Sequence, residues 1–164
     1  IWNVYQEESY KLNRRIKGVT QISFVLHQKI HLKGFSFAPL QKAYEKLYAS
    51  ENDAVYGDTF RIEGREVTGI GNNVTLEFHD MDFGEDGCSS VTICGRTHND
   101  KDAIHISFQE GEQETRQLVE FEGTADDSYR ELTFPLKCVK GTKTVRFIFL
   151  PGSNFDFSWV EFHH

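Results

Sequence analysis

Long apolar runs and an excess of positive charge are both missing from this chain. No apolar segment approaches the roughly 20 residues of a membrane helix. The formal net charge is −7, whereas nucleic-acid binding depends on lysines and arginines that displace counterions from phosphates. The densest positive segment, residues 11–17, is short and interrupted, and we interpret it as a solvated connection rather than an anion site. The sequence therefore predicts neither a membrane nor a nucleic-acid partner.

Cysteine is scarce, and the three residues Cys88, Cys94 and Cys138 cannot all pair within the chain. Their spacing matches no zinc pattern, so we expect neither a disulfide framework nor a zinc site. Cys94 shares strand parity with Ser90 and Thr92, so alternation alone turns it away from the more apolar face, although a covered outer face would still bury it. We interpret it as a small apolar residue without chemistry.

Catalytic motifs are also missing. No Gly-x-Gly-x-x-Gly opens a helix and helices do not alternate with strands, which excludes a parallel nucleotide-binding sheet. No Gly-x-Ser-x-Gly elbow supplies a nucleophile. A glycosidase needs two facing carboxylates about 5 to 10 Å apart, whereas the acids between Asp80 and Asp86 cluster on a turn, where solvated carboxylates are ordinary. We therefore expect no intrinsic enzyme activity.

The two ends of the chain carry little signal. The first eight residues lack the basic and apolar regions of a secretory signal, and the compartment stays open. Residues 1–18 are predicted as a connecting segment and residues 19–162 as one domain, because about 100 to 200 residues suit a single domain. The closing histidines, residues 163–164, are compatible with a remnant of a purification tag and receive no function.

Phenylalanine is abundant, with 14 residues against one methionine. Such stiff, flat side chains suit the core of a sandwich. Alternating runs at residues 21–26 and 30–37 predict two strands around a turn, with apolar side chains from Ile30 to Phe37 facing inward.

A single short helix is predicted to begin at Pro39, because apolar residues from Leu40 to Leu47 recur at three- and four-residue spacings. Eight further strands follow, separated by glycine turns. They span residues 58–63, 74–78, 90–95, 104–108, 117–122, 129–135, 144–150 and 155–162. Many short strands need a second sheet to cover their apolar faces. The sequence therefore predicts an all-β, two-sheet antiparallel sandwich with one short helix.

The last strand is the most distinctive segment. Residues 155–159 read Phe-Asp-Phe-Ser-Trp and follow the turn Pro-Gly-Ser-Asn. With Tyr-Gly-Asp-Thr-Phe at 56–60, Gly-Ile-Gly-Asn-Asn-Val at 69–74 and Met-Asp-Phe-Gly at 81–84, the chain resembles the jelly-roll carbohydrate-binding modules of family 6, which end in a Phe-Asn-Ile-Asp-Trp-like strand. It is particularly similar to the module on the C-terminal side of some bacterial family 2 β-galactosidases.

The resemblance implies a galactose-binding-like jelly roll that is a fragment of a larger bacterial enzyme, cytoplasmic or secreted as the parent chain dictates. It implies a noncatalytic module whose partners are an oligosaccharide or polysaccharide and the catalytic domain of a β-galactosidase-like glycoside hydrolase. Weak sugar contacts would hold that enzyme near its substrate. The alternative is a structural spacer or oligomerisation module without sugar binding, which predicts an exposed apolar patch around residues 22–37.

In the resembling family, sugar binds at the sandwich rim between two facing aromatic rings and an Asn at the start of the last strand. Alignment of the last strands places Asp156 at that Asn position, with Asn154 as the candidate if the register slips. The first ring position falls near Thr68 and Gly69, where no ring is present. The second ring position falls in the loop that contains Asp127 and Tyr129, which are both candidates for sugar contact. For Tyr129 the alternative is packing in the core.

Two further expectations come from the resemblance and from strand parity. Tyr56 is the other loop aromatic counted as a carbohydrate-binding candidate, with a partly buried anchor as the alternative. Trp159 is expected in the core because it shares parity with Phe157. Many of these modules hold a structural calcium ion through carboxylates at positions that here read Tyr48, Ser50 and Ser158, so neither a metal nor another cofactor is expected. The identity of the sugar and the oligomeric state stay open.

Overall fold

The computed structural model describes residues 5–10, 12, 16, 19–37 and 41–164. The chain divides into two compact units, Ile1–Ala38 and Pro39–His164, whereas the sequence predicted a boundary after residue 18. Among the described residues, no helix is long and apolar enough to cross a membrane.

The second unit is built from strands. In chain order they are β1 (Leu47–Tyr48), β2 (Ala54–Tyr56), β3 (Arg61–Glu63), β4 (Glu66–Ile70), β5 (Thr75–Asp82), β6 (Cys88–Thr97), β7 (Lys101–Glu110), β8 (Gln113–Glu122), β9 (Arg130–Val139), β10 (Thr142–Phe149) and β11 (Phe155–His163). Two single 3₁₀ turns, Lys42–Tyr44 and Ala49–Glu51, flank β1.

These strands form two antiparallel sheets. The larger has the order β3-β4-β11-β6-β9, with β1 also paired to β11, and the smaller has the order β2-β5-β10-β7-β8. Each sheet buries one face against the other, as two alternating sheets must. The prediction of an all-β, two-sheet sandwich is confirmed.

Phenylalanine fills the space between the sheets. The nine that are fully buried are Phe78, Phe83, Phe108, Phe121, Phe147, Phe149, Phe155, Phe157 and Phe162. Phe121 of the smaller sheet meets Phe155 of the larger edge to face, with ring centroids 5.0 Å apart. Such pairs add about 0.5 to 1.5 kcal/mol beyond the area that they bury, so they help to hold the two sheets together.

A bulge in β11 reverses the faces of the last strand. The register against β6 shifts between Phe157 and Trp159, after which Val160 faces the core at 0% exposure. Trp159 is buried, but on the face opposite to Phe157, where it pairs with Cys94 and lies beneath the Lys46 ammonium, 3.7 Å from its ring centroid. The prediction that Trp159 faces the core with Phe157 is therefore wrong, because the bulge changes the strand parity between them. Cys94 is buried on the same outer face as Trp159.

The prediction of two strands at residues 21–26 and 30–37 is wrong, because neither segment forms a strand. Their apolar side chains are exposed, including Phe24 at 53% and Phe35 at 60%. These two rings contact each other with centroids 5.0 Å apart. A two-stranded hairpin alone buries too little apolar surface to be stable.

The predicted helix is reduced to the 3₁₀ turn Lys42–Tyr44. Pro39 and Leu40 lie outside the described residues, as does much of the predicted connecting segment. Leu47 belongs to β1 and pairs with Val160 of the last strand. Tertiary strand pairing therefore overrides the local helical spacing.

Candidate functional site

Asp156 is the centre of a polar cluster at the start of β11. It lies directly opposite Arg96 of β6, on the face away from the core. Arg96 donates to Asp156 Oδ2 from Nη2 at 2.5 Å and from Nε at 3.1 Å. The backbone N–H of Gly69 in β4 donates to Oδ1 at 2.8 Å. Three adjacent strands thus converge on one carboxylate whose side chain is only 6% exposed.

His98 links Asp156 to a second carboxylate. Its Nε2 lies 3.2 Å from Asp156 Oδ2, and its Nδ1 lies 2.8 Å from Asp127 Oδ2. Asp127 has a positive φ of 55°, and its N–H donates to the Thr124 carbonyl oxygen at 3.1 Å. This tight loop after β8 brings an exposed carboxylate to the strand ends.

Tyr129 completes the cluster from the residue before β9. The Arg96 guanidinium lies 4.9 Å from its ring centroid, and its hydroxyl donates to Glu66 Oε2 at 2.7 Å. Burial, followed by this hydrogen bond, raises the pKa of Tyr129. The residue is nevertheless 36% exposed, so the alternative that placed it in the core is wrong. We call Asp156, Arg96, His98, Asp127 and Tyr129 the rim cluster.

The electrostatics of the rim cluster hold Asp156 ionised. Burial raises the pKa of this carboxyl, but hydrogen bonds from Arg96, the Gly69 N–H and His98 outweigh burial and lower it. A carboxylate offers about four lone-pair positions, and three of these contacts fall on Oδ2. Asp156 therefore has little remaining capacity for a ligand and instead orients Arg96 and His98.

Asn154 lies beside the rim cluster with its side chain exposed. Its carbonyl oxygen accepts from the His98 N–H at 2.9 Å, and its own N–H donates to Asp102 Oδ2 at 3.2 Å. Asp102 is 4% exposed and also accepts from Thr97 Oγ1 at 2.7 Å. This buried carboxylate fixes the turn before β11 against the end of β6.

Tyr56 lies elsewhere. It ends β2 in the smaller sheet, and its hydroxyl donates to Glu77 Oε1 at 2.8 Å. In the described part of the chain, no hydrogen bond or ring contact joins it to the rim cluster. Of the five residues predicted from the sequence, three are members of the cluster and Asn154 adjoins it.

Arg96 and His98 are the cluster members that the sequence did not predict. The predicted strand ended at residue 95, whereas β6 continues to Thr97. An arginine in an otherwise uncharged strand was the available signal. At Gly69, near the position without a platform ring, the Arg61 guanidinium lies 3.3 Å from where a Cβ would be.

The residues at the implied calcium positions do not fit that ion. Calcium prefers several carboxylate or carbonyl oxygens, whereas Tyr48 presents a ring with the Arg65 guanidinium 4.5 Å from its centroid, and Ser50 and Ser158 are hydroxyls. Within the described residues, no group of three His, Cys, Asp or Glu side chains could hold a metal ion.

The closing histidines make contacts of their own, since the His163 ring lies 2.8 Å from Thr92 Oγ1 and that of His164 stacks on Tyr44.

No protein-family model matches the chain, and no curated protein sequence matches it. Solved structures do match. CsCBM6-3 from Clostridium stercorarium, in complex with cellobiose, superposes with a TM-score of 0.64 at 24% identity, over 74% of this chain and 94% of that one. A family 6 carbohydrate-binding module from Clostridium cellulolyticum, in complex with xylose, gives 0.63 at 20% identity, over 74% and 98%.

A larger enzyme contains a similar region. The family 43 arabinoxylan arabinofuranohydrolase from Bacillus subtilis, in complex with cellotetraose, matches 74% of this chain with 27% of its own, at a TM-score of 0.60 and 18% identity. Identities below 25% establish the fold, and a fold alone does not specify a function. The chain therefore has the jelly-roll fold of the family 6 carbohydrate-binding modules.

Proposed function

We propose that this chain is a noncatalytic carbohydrate-binding module that holds a glycoside hydrolase near its glycan substrate. The observation that carries the proposal is the exposed Tyr129 ring, set beside Arg96, His98 and Asp127 at one end of the sandwich. A ring packs on the apolar face of a pyranose, while nearby polar groups bind its hydroxyls. The similar modules in complex with cellobiose and xylose support this assignment.

Each residue of the site has a defined role in the proposal. Tyr129 supplies the platform, and Asp127, with its side chain 51% exposed, accepts from sugar hydroxyls. Arg96 donates from the guanidinium N–H groups that Asp156 leaves free, and the exposed amide of Asn154 binds at the edge. His98 holds Asp127 and Asp156 in place through its two ring nitrogens. Asp156 positions Arg96 and His98 rather than contacting sugar. Tyr56 is left out because it lies in the other sheet.

The parent enzyme is the finer part of the proposal. We infer a glycoside hydrolase, β-galactosidase-like as the motifs of the sequence imply. The arabinofuranohydrolase, in which the similar region makes up 27% of the chain, supports a module within a larger hydrolase. The mechanism is proximity, since a tethered module raises the effective concentration of substrate at the enzyme.

A titration of galactose, lactose and xylo-oligosaccharides, followed by two-dimensional amide NMR, tests sugar binding. Millimolar sugar should shift the amides of residues 96–98, 127–129 and 154–156. Tyr129→Ala should weaken binding at least about tenfold, or about 1.4 kcal/mol. Tyr56→Ala removes a comparably exposed ring from the other sheet and should leave affinity unchanged. A spectrum unmoved by every sugar would contradict the proposal.

A second candidate function is a structural or oligomerisation module. The exposed apolar side chains of residues 19–37 favour it, with Val25 at 75% and Phe35 at 60% exposure. Sedimentation analysis is the test. Self-association at micromolar concentrations that Phe35→Ser abolishes would support an oligomer contact, whereas a monomer at every concentration would rule that contact out.

A further inference from the structure

A groove of about 560 Å³ opens between β8, the end of β9 and the start of β10. Four of its eight lining residues are basic, Arg116, Lys137, Lys140 and Lys143, and none is acidic. The whole chain, by contrast, carries a net charge of −7. This concentration of positive charge is local.

The groove is distinct from the rim cluster. Strand β9 begins at Arg130, directly after Tyr129, and ends at Val139, which lines the groove. Nine steps of about 3.3 Å each place the two ends roughly 30 Å apart. A ligand in one site therefore does not reach the other unless it is a polymer of several units.

Two of the four cations have acidic partners and two do not. Lys143 pairs with Glu110, and Arg116 Nη2 lies 3.0 Å from Glu114 Oε2. Lys137 and Lys140 are exposed, and neither makes a salt bridge within the described part of the chain. The groove thus presents two uncompensated ammonium groups to a ligand.

The groove wall is fixed by one side chain. Gln117 of β8 donates from Nε2 to the Lys137 carbonyl oxygen at 3.1 Å and accepts from the Lys137 N–H at its Oε1, at 2.7 Å. Strand β9 is the edge strand of its sheet, so no neighbouring strand of the described chain bonds these two backbone groups. The Gln117 side-chain amide bonds them instead. Because both backbone groups of Lys137 are held, the start of its side chain is ordered before a ligand arrives, which lowers the entropic cost of binding.

We propose that this groove binds the carboxylate or sulfate groups of an acidic polysaccharide. The choice of a polysaccharide rests on the proposed function, whereas the choice of an anion rests on the two uncompensated lysines, Lys137 and Lys140, in a groove without acidic lining residues. The net negative charge does not oppose it, because salt at physiological concentration screens charges beyond about 8 Å. A polymer would bind here through its acidic groups, independently of the rim cluster.

Affinity electrophoresis through gels containing polygalacturonate, dextran sulfate or neutral dextran tests this inference. The two acidic polymers should retard the chain and neutral dextran should not. Counterion release at two ammonium groups predicts that the affinity falls about tenfold between 50 and 200 mM salt. Amide shifts with polygalacturonate should centre on residues 115–117 and 137–143.

A pair of matched variants localises the effect. Lys137→Glu with Lys140→Glu should weaken binding at least tenfold. Lys29→Glu with Lys101→Glu changes the net charge equally at exposed residues that do not line the groove and should leave binding intact. Equal losses in both variants, or none in the first, would overturn the inference. Equally tight binding of duplex DNA would overturn the polysaccharide assignment.

The rim and the groove are tested separately. Tyr129→Ala should keep its affinity for polygalacturonate while losing that for neutral sugars. Failure of every neutral sugar together with retention on polygalacturonate would contradict the rim site alone. Binding of neutral sugars without retention on either acidic polymer would contradict the groove alone.

Discussion

Gly95 of β6 lacks a side chain at a point where a phenylalanine ring occupies the adjoining space. A Cβ there would lie 2.3 Å from Phe155 Cζ and 2.8 Å from the carbonyl oxygen of Asp156. Protein cores are close-packed and cannot absorb such an approach without movement. Either the ring or the start of β11 must shift, so the core and the rim cluster are coupled at this residue.

Gly95→Ala should therefore lower the free energy of unfolding by about 1 to 3 kcal/mol, as overpacking typically does. Urea denaturation measures the change, and the amide shifts of Asp156 and Arg96 report movement of β11. Gly34→Ala is the control, because nothing lies within 4 Å of its Cβ position and the effect should stay within about 0.5 kcal/mol. Wild-type stability in Gly95→Ala would mean that Phe155 moves aside without strain.

Single residues of the site were predictable only where a local motif marked them. The last-strand pattern marked Asp156, and the loop before β9 marked Asp127 and Tyr129. Arg96 and His98 belong to the site because β6 pairs with β11, and that pairing joins residues about 60 positions apart. Non-local register decides such partners, and no short window of sequence contains it.

The Gln117 side chain links β8 of the smaller sheet to β9 of the larger one through two hydrogen bonds to the Lys137 backbone. Gln117→Leu keeps the bulk of the side chain and removes both hydrogen bonds to Lys137. We expect a loss of about 1 to 2 kcal/mol and faster hydrogen exchange at the Lys137 amide. Gln113→Leu, at the exposed start of the same strand, should change neither. Unchanged protection of Lys137 in Gln117→Leu would show that water replaces the amide at no cost.

Strand existence was predictable where the alternation was long and had a partner. Eight of the predicted strands were found, although the one predicted at residues 58–63 is reduced to the three residues of β3. The strands β1, β2 and β4, with two, three and five residues, were missed, and runs this short give only a weak period. Residues 21–37 show the opposite case. Apolar and polar side chains alternate along them, but they form no strand pairing with any described part of the chain. Periodicity reports which face would be buried, whereas only a partner supplies the burial.

At the scale of the whole molecule, composition gave the sign of the charge but not its distribution. Arg116 and Lys143 are 27 positions apart in the sequence, yet strand pairing places both on one groove. The same folding gathers carboxylates with their cations, as with Glu77 and Arg146 on the smaller sheet, where Nε lies 2.5 Å from Oε1. The arrangement makes stability depend on pH.

Acid should destabilise the fold through Glu77. Burial raises the pKa of this carboxyl, but hydrogen bonds from Arg146, His79 and Tyr56 outweigh it and lower the value from 4.5 to about 2. Between about pH 2 and 4.5, Glu77 therefore binds more protons in the unfolded chain than in the folded one. This contribution is complete above about pH 5 and is lost as the pH falls toward 2, and it amounts to at most about 3 kcal/mol.

Glu77→Gln should remove that contribution. Its free energy of unfolding at pH 7 should be about 2 to 3 kcal/mol below wild type, and its decline between pH 5 and 3 should be shallower, because one titrating group is gone. Urea denaturation at pH 7, 5 and 3 measures both effects. Glu63→Gln alters a surface pair with Arg61, in which both side chains are more than half exposed, and should follow the wild-type profile. Parallel pH profiles for Glu77→Gln and wild type would assign the acid sensitivity to other carboxyls, with Asp156 and its lowered pKa the next to test.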